Sequence, residues 1–244
     1  MLKEFAEYLA NQKIEPKDRV VKIGNEKFVI NTNGDAKRIQ PSLGLSKEVI
    51  GVWTLNAVIE YIKSHYDRDE KLMLHVVSPT RIQLLSALKS DGEREILIEA
   101  AASVPNFNFD YFIDVEELII SLQAKFVPTK DRDLLLQVLG NLKEENVKNT
   151  GDDGVSQSVV AKVGVATVAN VKVPNPVQLA PYRTFSEVKQ PVSPFIYRMK
   201  DGARGALFEA DGGAWKLEAI KNIHDYLTEN LDEEIKNDKL IILA

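Results

Sequence analysis

Four carboxylates in two glycine-rich turns are the first residues in this chain that could do chemistry. Asp152 and Asp153 lie in Thr150-Gly-Asp-Asp-Gly154, and Glu209 and Asp211 in Glu209-Ala-Asp-Gly-Gly213. Neighbouring acids of this kind hold Mg²⁺ or Ca²⁺ through oxygen, and gathered in one site they would serve a metal-dependent nuclease or hydrolase. Neither turn carries a metal motif. An EF-hand needs acids at alternate positions and a glutamate at the twelfth, where this chain has Ala161. Reversals select Asp and Gly for their own backbone needs, which explains the first pair equally well. The second turn joins a strand to a helix, where free N–H groups and the helix dipole can receive an anion. There Asp211 is placed as an N-cap, which occupies the donors an anion would use.

A second constellation is basic and aromatic. Between Pro176 and Gly205, Arg183, Lys189, Arg198, Lys200 and Arg204 stand against Glu187 and Asp201, with Tyr182, Phe185, Phe195 and Tyr197 interleaved. Cations pair with phosphates and aromatic rings stack on bases, so Tyr182, Arg183, Phe185, Lys189, Tyr197 and Arg198 form a candidate ligand-binding set for single-stranded nucleic acid or a nucleotide. The plainer alternative makes the aromatics core anchors of a proline-rich segment, with the cations paired to the acidic stretch at 110–153. Complementary charge of that sort also suits self-association into a homo-oligomer.

Other chemistries are excluded by composition. There is no cysteine, which removes disulfides, thiol nucleophiles and Cys-ligated metals and fits a reducing compartment. The three histidines, His65, His75 and His224, are too far apart for HxH or HExxH spacings, and no GxSxG elbow exists. His75 in an apolar strand and His224 on a helix's inner face read as buried, hydrogen-bonded histidines. No catalytic residues and no cofactor are assigned, and the balance favours binding over catalysis. A net charge of −5 argues against sequence-independent wrapping of duplex DNA but permits a local basic groove. The first twelve residues lack the pattern of a secretion signal, and no stretch approaches the ~20 apolar residues of a membrane span. The expectation is a cytoplasmic protein without a membrane anchor.

The elements that must position these residues follow from hydrophobic period. Residues 2–14 have a short helical stripe. Runs at 19–23 and 27–31, then Asn33-Gly34, predict an antiparallel meander ending near Ile39. Thr54 can cap a helix with Leu55, Val58, Ile59, Ile62 and Tyr66 on one face. Leu72 to Val77 reads as a buried strand, 81–88 and 94–102 as two more around Asp91-Gly92. Asp114 and Glu117 have capping-box spacing for a helix to Phe126, and a second helix is expected from Asp131 to Leu139. The alternation at 158–173 is the clearest strand pattern. Unbroken it would reach about 50 Å, so it must bend at Gly164, reverse near 166–170, or project as an arm to another subunit. The five prolines from Pro174 to Pro194 demand an extended, meandering path. Strands at 195–199 and 206–210 around Asp201-Gly202, a helix with Leu217, Ile220, His224, Leu227 and Leu231, and a docked strand at 240–243 complete the chain. The fold class is α+β: a mixed, mainly antiparallel sheet built from hairpins, with four to five packed helices. It forms one domain over 1–244 that can be divided into a mixed lobe at 1–150 and a lobe at 151–244 holding the long β segment, the proline-rich stretch and the last helix.

The runs TGDDGVSQ (150–157), NPVQLAPYRTFSEVKQP (175–191) and LFEADGGAWKLEAI (207–220), with WTLNAVIEYIKSH (53–65) and HVVSPT (75–80), resemble a family of unknown function encoded by phages and prophages of Gram-positive bacteria. The resemblance spans about residues 20–230, and the overall plan is loosely similar to another phage domain encoded near recombination genes. It implies a protein of the infected cell: a non-enzymatic, oligomeric accessory factor binding nucleic acid in recombination or replication, or an anti-defence inhibitor that binds a host defence protein or sequesters a nucleotide signal. It transfers no site residue.

Overall fold

The computed structural model describes residues 19–24, 26–31, 33–39, 46, 48–65, 70–89, 92–140, 151–152, 157–158, 161–163, 167–169, 173, 175–200 and 203–244. The expected helix at 2–14, Asp153, the bend at Gly164 and the Asp201-Gly202 turn lie outside them. The fold is α+β, with mostly antiparallel sheets, one mixed sheet and five helices among the described residues. Cα packing separates two compact units, Met1–Lys47 with Lys89–Glu93, and Glu48–Leu88 with Arg94–Ala244.

The first unit contains the meander predicted from its turn residues: β1 (Val20–Ile23), β2 (Glu26–Ile30) and β3 (Ala36–Arg38), paired antiparallel in that order. Gly34 has φ +87°, a conformation that glycine adopts without steric cost.

In the second unit, β4 (Ile50–Val52), β5 (Leu72–Ser78), β6 (Arg81–Leu85), β7 (Ile96–Ala101) and β16 (Leu240–Leu243) form a sheet in the order β16-β5-β6-β7-β4. The hairpins β5-β6 and β6-β7 are antiparallel, and the two outer strands join parallel. Strand period two sends Leu72, Leu74, Val76, Ile82, Leu84, Ile98 and Ala100 to one buried face. Helix α1 (Leu55–Ser64) covers it with Leu55, Val58, Ile59 and Ile62, and α4 (Trp215–Asn230) with Ile223 and Leu227. Each such fully buried aliphatic side chain contributes about 1.5–3 kcal/mol. Thr54 caps α1 as its sequence position predicts, its Oγ1 accepting from Ala57 N at 3.2 Å. Tyr66, the last residue expected on that face, is outside the described residues.

His75 corrects one expectation. The strand holding it is buried on one face only, and register sets His75, Gln83, Glu99 and Gly51 in a row on the opposite face. His75 is therefore half-buried on the outer side of the sheet and not a core histidine. His224 is likewise half-exposed, 3.5 Å from Asp225.

A second core lies under the antiparallel sheet β13 (Val177–Leu179), β14 (Ser193–Lys200), β15 (Arg204–Glu209) and β8 (Ile113–Asp114). Helices α2 (Val115–Lys125) and α3 (Lys130–Gly140) pack on its inner face through Leu118, Leu122, Leu135, Val138 and Leu139 against Phe195, Tyr197 and Leu207. Gly205 is required by space: a Cβ there would stand 2.7 Å from Leu118 Cδ2 and 3.3 Å from Tyr197 Cε2. Asp114 occupies the N-cap position of α2 without the expected side-chain bond, while Thr129 Oγ1 accepts from Arg132 N at the start of α3. The remaining strands are β9 (Gly151–Asp152) paired with β10 (Gln157–Ser158), and β11 (Ala161–Val163) paired antiparallel with β12 (Thr167–Ala169). Val163 opposite Thr167 means that the chain reverses within the 158–173 pattern instead of running on as one strand. Helix α5 (Asp232–Lys236) leads into β16, which docks the apolar tail beside β5 as its composition required.

Candidate functional site

The six residues of the basic aromatic set do not share a surface. Phe185 belongs to the core under α1 and α4, whereas Tyr197 belongs to the second core. Strand alternation turns Arg198 away from Tyr197, to the outer side of β14. Tyr182 and Lys189 are exposed at either end of the 183–190 loop.

Arg183 is 7% exposed and is held by its own chain through both terminal nitrogens, while its buried Nε has no hydrogen-bond partner among the described residues. Its guanidinium stacks 4.0 Å from the Trp215 ring and lies 5.7 Å from Phe195. Nη1 donates to Glu209 Oε1 at 2.9 Å and Nη2 to Ser193 Oγ. Burial pulls its pKa down to about 10, against the pull of Glu209, Asp211 and Glu218 in the other direction. Gln190 clamps the loop: its Oε1 accepts from Arg183 N at 3.0 Å and its Nε2 donates to Phe185 O at 2.9 Å. The phenol of Tyr197 is buried without a hydrogen-bond partner, and burial raises its pKa. Glu187, at the other end of the loop, accepts at Oε1 from Leu55 N at 2.7 Å and so caps α1 from outside.

The carboxylates divide in the same way. Glu209 is held by Arg183, and Asp211 accepts from Gly213 N at 2.9 Å and Trp215 N at 3.1 Å, the capping role its position ahead of α4 dictates. The backbone of Asp152 is in β9 and Asp153 is not described. Among the described residues, no three His, Asp or Glu gather where a metal ion could be held. No described helix is long and apolar enough to cross a membrane.

Among the described residues, a surface without a structural employment lies at β4. At the β4 edge of the mixed sheet, Val49, Gly51, Val52, Trp53, Glu99, Ala101 and Ala102 line an open trough of about 500 Å³, Val52 and Ala102 reaching it from the inner face, where they pack against the first core. Trp53 is 71% exposed, although it sits between a strand and a capped helix that fix its backbone. Glu99 receives Gln83 Nε2 at 2.7 Å and Arg81 Nη2, both at Oε2. These two donors, Arg81 first, hold the carboxyl below its ordinary range, so it is charged. Its Oε1 has no donor among the described residues. Among the described residues β4 pairs only with β7, and Val49 and Ile50 are exposed at that edge. Sequence reading missed this site because Trp53 and Gly51 carry no motif; the signal was a tryptophan directly before an N-cap, where the helical apolar stripe has not yet begun.

Comparison with protein-family models, with curated proteins and with solved structures finds no match for this chain.

Proposed function

We propose that this chain is a non-catalytic binding protein that captures an extended segment of a partner protein as an added strand at the outer edge of β4, with Trp53 as the anchor. The observation that carries the reading is the conjunction at one place of a strand edge with no partner among the described residues, a 71% exposed indole and a trough of about 500 Å³. An edge strand with free N–H and C=O groups is a template for pairing, and soluble proteins normally blunt such edges with charge, proline or a bulge. Ile50-Gly51-Val52 carries no charge, proline or bulge, and its shortness, three residues, is the one such device it has. Tryptophan is the residue most enriched at binding hot spots, because its large apolar area is lost from water on docking. In the setting that the phage resemblance implies, the partner is a host protein, as for an anti-defence inhibitor or accessory factor.

The test is hydrogen exchange and tryptophan fluorescence with an extended-peptide library. Bound peptide should slow exchange at Ile50–Val52 and shift the emission of Trp53, and Trp53→Ala should weaken binding by about thirtyfold or more, as a hot-spot loss of ≥2 kcal/mol implies. Unchanged exchange at β4, or full binding by Trp53→Ala, would refute the proposal.

A second reading, single-stranded nucleic acid, has one observation in its favour. On the outer side of β14 and β15, Lys200 Nζ lies 4.0 Å from the Phe112 ring, which meets Phe208 edge-on at 5.9 Å, with Arg204 opposite Lys200 in register. Oligonucleotide binding there would weaken about sevenfold between 50 and 200 mM salt, as ~2 phosphate contacts to a single strand require.

A further inference from the structure

We propose that the trough beside β4 selects a lysine or arginine side chain on the captured strand. This deepens the strand-addition reading and rests on it. Register is the starting point: Gly51 lies directly beside Glu99, so both face the outer side of the sheet. A strand added beyond β4 lies about 4.8 Å further out, and one of its residues stands beside Gly51 on that same face. Between its side chain and Glu99 there is then only the hydrogen of a glycine.

Nothing in the fold asks for that glycine. Gly51 is absent from the positive-φ residues, and a Cβ added to it would meet no atom within 4 Å. Glycine weakens a strand and often marks a place where a ligand or another backbone comes close. Its effect here is to leave a clear lane from the sheet edge to the carboxylate. Across about 9.6 Å between alternate strands, an extended glutamate and an extended lysine or arginine can meet.

The lining then defines the chemistry. Glu99 is charged, with Oε2 held by Arg81 and Gln83 and Oε1 open, so it can accept from one further cationic donor. The outer-face walls are Trp53, Val49 and Ala101, which suit the aliphatic stem of a long basic side chain, while the indole face attracts its charged end. An anionic side chain would meet Glu99 directly. The net charge of −5 favours the approach of a basic segment in the same sense.

The experiment is a positional-scanning library of nonapeptides, with each position fixed in turn as Lys, Arg, norleucine or Glu, measured against the wild-type chain, Glu99→Gln and Gly51→Val. The expected result is one position at which Lys or Arg binds about tenfold tighter than norleucine, the scale of a partly desolvated cation interaction. In Glu99→Gln this preference falls to about onefold while binding of the norleucine peptides persists. Gly51→Val, whose Cβ meets no atom within 4 Å and which raises strand propensity, should unfold no more easily than the wild type and lose the same preference. Peptides that protect β4 without any basic preference, or a preference that survives Glu99→Gln, would overturn this inference and leave strand addition standing. Absence of any peptide that protects β4, or self-pairing of the chain through β4, would overturn both.

Discussion

Arg183→Met separates a ligand-binding arginine from a structural one. Methionine keeps the apolar stem and removes the charge. Stacking on Trp215 at 4.0 Å, in a site only 7% exposed, is of the desolvated kind that contributes about 2 kcal/mol. The bond to Glu209 contributes about 1 kcal/mol, discounted because that carboxylate's side chain is 37% exposed and can turn to water. Ser193, buried, loses its donor at a cost of about 1 kcal/mol. Relief from burying a charge offsets about 1–2 kcal/mol of this. The expected net loss is about 2–3 kcal/mol, read as a lower urea midpoint at unchanged slope in far-UV circular dichroism. A double-mutant cycle with Trp215→Leu should return a coupling of about 1–2 kcal/mol. If Arg183→Met unfolds within about 0.5 kcal/mol of the wild type, the guanidinium is not holding the 183–190 loop to β14 and β15, and its burial needs another explanation.

Tyr197→Phe removes a buried hydroxyl that has no hydrogen-bond partner, so stability should stay level or rise by about 1 kcal/mol; a loss of more than that in urea unfolding would show that the phenol is bonded. Glu99 gives the pH dependence. Its folded pKa is below its ordinary value of 4.5, so the stabilisation it contributes is complete above that pH and disappears as pH falls through the lower folded value. Replacing it with Gln should flatten that acid limb of the stability profile, and an identical limb in the variant would refute the assignment.

The elements were more legible than the site, for reasons that specific residues display. Helix α1 could be placed because four buried positions repeat at helical spacing and Thr54 directly precedes them. The tail at 240–243 could be placed because an exposed Leu-Ile-Ile-Leu run has no other stable outcome than pairing. The 183–198 patch misled because charge and aromaticity look alike in sequence whether they face water or each other. Phe185 and Tyr197, twelve residues apart in sequence, enter different cores, and only tertiary structure decides that. His75 was assigned to the core because its neighbours are apolar, yet the strand has one buried side, and period two put the histidine on the other.

The trough acquires its significance by subtraction. Arg183, Glu209 and Asp211 look functional in sequence, and each, like Glu187 and Gln190 beside Arg183, is consumed by a cap, a clamp or an ion pair that the fold needs. Trp53, Gly51 and the open oxygen of Glu99 look ordinary in sequence and serve no such need. An exposed indole forgoes the burial that would otherwise make tryptophan one of the strongest contributors to a core. A glycine in a strand weakens it and, at Gly51, answers neither to backbone angle nor to crowding. A carboxylate anchored at one oxygen is oriented but not saturated. Trp53 and Gly51 cost the fold something without return inside the chain, Glu99 keeps one oxygen open beyond its bonds to Arg81 and Gln83, and a partner strand with a basic side chain is the occupant whose chemistry uses all three.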